Sequence, residues 1–255
     1  MAEGDSILRI AEQIDASMAG SEVTARTPGR RRPEGRFVSD LDGRELTRAE
    51  SRGKHLLLHF DGGLVLHSHL GMKGAWHVYR RGDRWRKPAA AAWIAIAGPT
   101  AEAVNFNGTS MRIVREVELG RDRRLARLGP DLLAPGMTPE AAAAALRRAG
   151  PDADLGDALL DQELLAGIGN IFKSESCWAA QADPWKRLGE VDDEQLAAVA
   201  GAAREQMLEA VRCGRRPQSV YRRARRPCPR CRTPIRSRGQ GDSARTTYWC
   251  PKCQT

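Results

Sequence analysis

The chain has 255 residues, 41% of them apolar, enough for two modest domains or one large one with a real core. Its net charge of +9 suits a polyanionic partner, and the excess is local. Gly214–Thr255 carries eleven Arg and one Lys against a single acid, Asp242, while the rest of the chain is slightly acidic. Four of the six Cys form two Cys-x-x-Cys pairs, a pattern of metal ligation in a reducing compartment rather than a disulfide framework. No apolar run reaches membrane-span length and no signal-peptide core opens the chain, so a cytoplasmic protein is expected.

In chain order, Ile7, Ile10, Ala11, Ile14 and Met18 recur at helical spacing and predict a helix over Ser6–Met18. Pro28–Gly35 reads as a polar loop. Lys54–Phe60 and Leu64–Leu70 are apolar runs separated by Asp61-Gly62-Gly63, a hairpin signal. Gly74–Tyr79, Ala91–Ala97 and Ala103–Val114 are further strand candidates, so a sandwich or barrel is expected over roughly residues 20–118. Composition then turns helical. Thr138–Arg148, with Pro139 in its first turn, Leu155–Leu165, Asn170–Ala180 and Asp192–Val211 are predicted helices. The tight turn Ala166-Gly167-Ile168-Gly169-Asn170 separates two of them.

The metal motif is Cys228-x-x-Cys231 followed by Cys250-x-x-Cys253. Each pair places two thiolates on one edge of a tetrahedron, and four thiolates leave no open position, so one structural Zn2+ is expected. The residues between the pairs fit a two-stranded ribbon. Metal binding contributes on the order of 10 kcal/mol to folding a segment too small for its own core. In Gly167-Ile168-Gly169-Asn170 the glycines permit close backbone approach, and the helix start offers N–H groups to an anion. Taken alone, the same segment is equally a turn with Asn170 as helix cap. Lys54, the run His69-Leu70-Gly71-Met72 and the N-terminal Met1-Ala2-Glu3-Gly4-Asp5 are each weak signals by themselves. His67 and His69 read as strand residues, Cys177 and Cys213 as helix-packing residues.

Together, and in this order, these pieces resemble the formamidopyrimidine-DNA glycosylase/endonuclease VIII (Fpg/Nei) family over nearly the whole chain. The resemblance rests on Ala2–Asp5, Ser51-Arg52-Gly53-Lys54-His55-Leu56, His69–Met72, Leu128-Gly129-Pro130-Asp131-Leu132, Leu159-Leu160-Asp161-Gln162 with Gly167–Asn170, and Arg245–Gln254. It is strongest toward the actinobacterial endonuclease VIII-like branch. It implies an α+β multidomain fold: an N-terminal β-sandwich with a leading helix over 1–118, a linker over 119–137, a helix–two-turn–helix domain over 138–221 and a zinc finger over 222–255. It implies a monomeric, nucleoid-associated base-excision enzyme acting on damaged duplex DNA. The terminal amine exposed by removal of Met1, here that of Ala2, would attack C1′ of the damaged nucleotide. Glu3 would move protons, Lys54 would touch the backbone and assist strand cleavage, and Met72 would fill the gap left by a flipped base. Asn170 and Arg245 would grip phosphates, and Arg245 would also assist the second elimination.

The chemistry suits an N-terminal nucleophile. An α-amine titrates near about 7.7–8.0 and a lysine amine near about 10.4, so only the former has a substantial neutral fraction at neutral pH. Two departures from the family pattern bear on function. The family's usual residue after Met is proline, whose secondary amine gives a cationic iminium directly. The primary amine of Ala2 gives an imine that needs a further proton to act as an equal electron sink, which weakens the expected AP-lyase step more than base release. The stretch Asn105–Met111 also lacks the Arg–Phe pair that accompanies the wedge methionine in the formamidopyrimidine branch. This points away from 8-oxoguanine opposite cytosine and toward oxidised pyrimidines or a bulky alkylated base. The alternatives are a non-catalytic damaged-DNA binder on the same scaffold, favoured by Ala2 and opposed by Glu3 and Lys54, and a zinc-ribbon RNA or transcription factor, which leaves the N-terminal motifs unexplained.

Overall fold

The apolar stripe of the first helix is its buried face. In the computed structural model, which describes residues 2–255, α1 spans Gly4–Met18, and Ile7, Ile10, Ala11, Ile14 and Met18 are all buried. They pack against strands of a nine-stranded sheet: β1 (Ser21–Arg26), β2 (Glu34–Gly35), β3 (Arg44–Arg52), β4 (His55–Phe60), β5 (Leu64–His69), β6 (Ala75–Arg80), β7 (Ala92–Ala97), β8 (Ala101–Phe106) and β9 (Ser110–Arg115). The strand order is β2-β9-β5-β4-β3-β1-β7-β8-β6. β1 pairs with β3 through Ser21–Val23 and with β7 through Thr24–Arg26. That change of partner lets one continuous ladder supply two layers, a recurring way to turn a corner in a sandwich. Leu46, Leu56, Leu58, Leu66, Ile94, Ile96 and Ala103 fill the core they share with α1. Truncating Ile7 or Ile14 to Ala would cost about 2–5 kcal/mol.

The predicted strand Ala103–Val114 is two strands in different parts of the sheet. Asn107 takes φ 51°, and Asn107-Gly108-Thr109 turns the chain from β8, paired with β6 and β7, into β9, paired with β5. Periodicity alone cannot see such a break, because both flanks are apolar. β1 and β3 were not foreseen, and each buries only one apolar side chain, Val23 and Leu46. The polar loop Pro28–Gly35 ends in the two-residue β2. After β9 come α2 (Glu116–Leu119) and α3 (Arg123–Ala126), where Asp122 caps α3 through the Arg124 amide and pairs with Arg112.

The chain forms two compact units, Met1–Arg127 and Leu128–Thr255, so the stretch 119–137 divides between them. In the second unit, α4 (Pro139–Arg147) starts at a Thr138 cap with Pro139 in its first turn, and α7 (Asp193–Cys213) starts at an Asp192 cap and ends at Gly214, φ 70°. Between them lie α5 (Leu155–Ala158) and α6 (Asn170–Ala179). The predicted helix Leu155–Leu165 stops after one turn. Gln162 is the cause: its Nε2 donates to the carbonyls of Leu160 and Ile168 at 2.8 and 3.1 Å, and its Oε1 accepts from Gly167 N at 3.1 Å. This clamp holds 160–168 as successive turns ahead of α6. Leu132, Leu159, Leu165, Phe172, Val199 and Met207 are fully buried in this unit. The expected ribbon is present as β10 (Arg236–Gln240) and β11 (Arg245–Trp249), paired antiparallel from Arg236 with Trp249 to Gln240 with Arg245. Cys177 is buried in α6 as expected, but Cys213, the last residue of α7, is exposed, its Sγ in hydrogen bonds with the backbone of Arg215. No helix among the described residues is long and apolar enough to cross a membrane.

Candidate nucleic-acid interface and metal centre

Glu3 is the N-cap of α1 and is completely buried. Its amide donates to Ser6 Oγ at 3.2 Å, and Ser6 Oγ donates back to the Glu3 carbonyl at 2.8 Å, which fixes the entry of the chain into the helix. The positive end of the helix dipole is a favourable place for its carboxylate. Ala2, half-buried, packs against the same core and so presents the backbone immediately before Glu3 in a defined position. Met1, whose removal would free the Ala2 amine, lies outside the described residues.

The register shows what else lies at this end of the first unit. Gly20 N bonds to the Leu46 carbonyl and Asp15 Oδ1 accepts from Ala49 N, so α1 runs antiparallel to β3 and its start lies toward the Arg52 end. At that end, Gly53 (φ 58°) and Lys54 form the two-residue turn from β3 to β4, with Arg52 opposite His55. The next rungs are His55 opposite His69 and His69 opposite Ser110. Beyond His69, the loop Leu70–Gly74 carries Met72, one of three large apolar side chains exposed among the described residues, at 63%. Gly71 has φ +60°, and a Cβ there would lie 2.0 Å from Thr109 Oγ1. Thr109 donates to the Leu70 carbonyl at 3.1 Å, so the short β8–β9 turn braces the loop from beneath. Ala2, Glu3, Lys54 and Met72 are thus brought to one end of the first unit.

Sequence reasoning missed a histidine cluster between Lys54 and Met72. His55 Nδ1 and His67 Nε2 are 2.8 Å apart, Arg112 Nε is 3.1 Å from His67 Nδ1, and the rings of His55 and His69 lie 4.9 Å apart. Arginine only donates, so His67 Nδ1 accepts, its proton sits on Nε2, and it donates to His55 Nδ1. Both neutral tautomers follow. Burial, then repulsion from neighbouring histidines and Arg112, pushes the His55 pKa down to about 3. Burial, then Arg112, pushes His67 down to about 4. Burial and Lys54 lower His69 as well. The signal was present in the spacing, since antiparallel pairing across Asp61-Gly62-Gly63 sets residues 55 and 69 opposite each other.

In the second unit, Asn170 is the first residue of α6, not its cap, which is Gly169. A cap must precede the first helical turn, and Asn170 already lies within it. Its Nδ2 donates to the Thr246 carbonyl at 2.8 Å, tying the helix start to β11, while its buried Oδ1 has no hydrogen-bond partner among the described residues. Arg245 opens β11, exposed and with no carboxylate partner among the described residues. Two buried charges hold the helix to its surroundings. Lys173 donates to Thr247 Oγ1 at 2.5 Å, which donates to Gln240 Oε1 at 2.7 Å. Glu175 accepts from the amides of Ser219, Val220 and Tyr221 at 2.9, 2.9 and 2.7 Å, anchoring the segment that leads into the Arg-rich tail.

The four thiols Cys228, Cys231, Cys250 and Cys253 converge with all Sγ atoms within 4.8 Å of one another. Cys231–Cys250 is 3.4 Å and Cys228–Cys253 is 3.9 Å. A tetrahedron with Zn–S bonds of about 2.3 Å has S···S edges of about 3.8 Å, so the donor set fits that ion. Trp178 Nε1 donates to Cys228 Sγ at 3.4 Å, the kind of outer hydrogen bond that orients a ligand.

Comparison with known proteins places each part of the chain in one family. Residues 1–112 match the formamidopyrimidine-DNA glycosylase N-terminal domain, 128–221 its H2TH domain, and 226–255 the zinc finger found in FPG and IleRS. Over its whole length the chain is 41% identical to a probable endonuclease 8 2 of Streptomyces coelicolor, covering 94% of that protein. It is 35% identical to a DNA-(apurinic or apyrimidinic site) lyase of Mycolicibacterium smegmatis, covering 99% of that protein. The fold superposes on Lactococcus lactis formamidopyrimidine-DNA glycosylase, crystallised with DNA containing an AP site, with a TM-score of 0.82 at 19% identity over 99% of both chains. With its three domains in the same order and relatives alike from end to end, the chain belongs to the formamidopyrimidine-DNA glycosylase/endonuclease VIII family of DNA glycosylases.

Proposed function

We propose that the protein is a base-excision glycosylase that binds damaged duplex DNA, flips out an oxidised pyrimidine or a bulky alkylated base and cuts it from its sugar, with an AP-lyase step weakened by Ala2. The observation that carries this reading is Glu3, fully buried at the helix N-cap one residue after Ala2, at the same end of the first unit as Lys54 and the exposed Met72. Glu3 transfers protons during sugar opening, and the Ala2 amine attacks C1′ once Met1 is removed. Lys54 contacts the backbone and assists cleavage, Met72 fills the stack, and Asn170 and Arg245 grip phosphates. One structural Zn2+ on the four thiolates holds the ribbon that carries Arg245. The braced β8–β9 turn favours these lesions over 8-oxoguanine, because it supports the Met72 loop and offers no Arg–Phe pair beside it. The enzyme works as a cytoplasmic, nucleoid-associated monomer, with domains over 1–118, 138–221 and 222–255 and a linker over 119–137.

The test is Glu3→Gln on duplexes with defined lesions, read both for free base and for nicked strand. Excision falls by about 10²-fold or more, the usual contribution of a positioned acid or base, while duplex affinity holds. Full activity in the variant overturns the assignment. Borohydride trapping on abasic duplex, with N-terminal sequencing of the same sample, separates enzyme from binder. An adduct excludes a pure binder, free base released from the lesion duplexes without an adduct on the abasic duplex identifies a monofunctional glycosylase, and neither product identifies a damage-binding protein.

A further inference from the structure

A second cationic site lies at the other end of the first unit. β6 leaves the Met72 loop at Ala75 and reaches Arg80, and the following loop lines a cleft of about 930 Å³ with β1, β7 and β8. Ala97 lines this cleft, and the adjoining Gly98 abuts Met18, the last residue of α1. Glu3 caps the opposite end of that 15-residue helix, about 20 Å away along its axis. The cleft is therefore separate from the cluster of Ala2, Glu3, Lys54 and Met72.

Its walls combine cations with a fixed ring. Trp85 Nε1 donates to Glu102 Oε2 at 2.7 Å, and Arg26 donates to Glu102 Oε1 at 2.8 Å. The Arg26 guanidinium sits 5.0 Å over the Trp85 ring, whose contact with Phe106 is edge-on at 85°. Glu102, itself buried, thus locks an indole and a guanidinium together, and its charge is balanced by Arg26. Arg84, Arg86 and Lys87 line the same cleft and have no ion-pair partner among the described residues. An anchored ring beside surplus cations is the surface on which bases stack while phosphates are neutralised. An acidic peptide would use the charges and leave the anchored indole without a role.

We propose that this cleft binds a nucleotide, either as a unit of single-stranded nucleic acid or free, independently of the lesion-binding surface. The experiment uses the full-length protein and fluorescent (dT)12, with and without saturating duplex carrying an abasic-site analogue. (dT)12 binds the duplex-loaded protein, and Arg84→Glu/Lys87→Glu weakens it about tenfold or more and lowers the salt slope by roughly 1.4, at about 0.7 per neutralised phosphate. Trp85→Ala weakens it similarly and Trp85→Phe restores part of the loss, while thermal midpoint and base excision stay at wild-type values in the charge variant. Binding of dTMP or ATP that competes fully with (dT)12 identifies the free nucleotide as the ligand. No binding to the loaded protein, binding indifferent to these substitutions, or equal binding of an oligoglutamate overturns the proposal. Lys54→Ala, which leaves the cleft intact, keeps (dT)12 binding whether or not the excision function holds, so the two readings fail separately.

Discussion

At the scale of single residues, two positions carry the sharpest chemical consequences. In the proposed mechanism Ala2, once Met1 is removed, supplies a primary amine where a secondary amine would give a cationic imine at once. Ala2→Pro is expected to raise the yield of borohydride-trapped adduct on abasic duplex severalfold at neutral pH, with base release changed less; equal trapping by both forms would show that the lyase step is limited elsewhere. Glu175 is a structural counterpart. Its carboxylate satisfies three consecutive amides inside the second unit, so Glu175→Ala leaves buried donors unmatched and is expected to cost about 3 kcal/mol of stability, measured by denaturant titration. Its Gln counterpart keeps one acceptor and loses less.

At the scale of elements, the Leu70–Gly74 loop and the histidine rungs work as a braced pair. Gly71→Ala places a methyl group against Thr109 in a left-handed backbone conformation, and is expected to lower both thermal midpoint and discrimination between lesion and intact duplex. Met72→Ala removes an exposed side chain, and is expected to lower discrimination alone. The histidines give a pH signature with a definite sign. Their folded pKa values are depressed, to about 3 for His55 and about 4 for His67, so the unfolded chain binds more protons below its ordinary value near 6.5. Stability is therefore full above about pH 6.5 and is lost as pH falls toward 4, with a slope approaching about 1.4 kcal/mol per pH unit for each histidine. Denaturant titrations of wild type and His67→Phe between pH 4 and 7 check this: the variant has the shallower slope.

At the scale of the whole molecule, charge and metal act together. All of the surplus positive charge lies in Gly214–Thr255, a segment organised by four thiolates and tethered by Glu175, Asn170 and Lys173. Removing zinc with a chelator is expected to melt this segment and weaken duplex binding by an order of magnitude or more, followed by ribbon circular dichroism and fluorescence anisotropy, with recovery on adding Zn2+. Retained duplex affinity after verified metal loss would show that the ribbon contributes little to binding.

Several features were legible without coordinates because local chemistry sets them. Four cysteines at metal spacing, the stripe of α1, the Asp61-Gly62-Gly63 hairpin, and the Thr138 and Asp192 helix starts each depend on residues close in sequence. The ordered motifs also carried the family and its three-part architecture. Other features depended on partners far along the chain. β1 and β3 are polar strands that exist because neighbours offer them ladder bonds, and the Leu155–Leu165 prediction failed because Gln162 finds the turn at Gly167. The single strand foreseen over Ala103–Val114 was broken by one left-handed residue, Asn107. The histidine chain, the gathering of Glu3, Lys54 and Met72 at one end of the first unit, and the Trp85 cleft came from strand register and helix packing. Local propensity and spacing are written in the sequence, whereas side chains meet across a sheet only once tertiary structure has chosen which strands are neighbours.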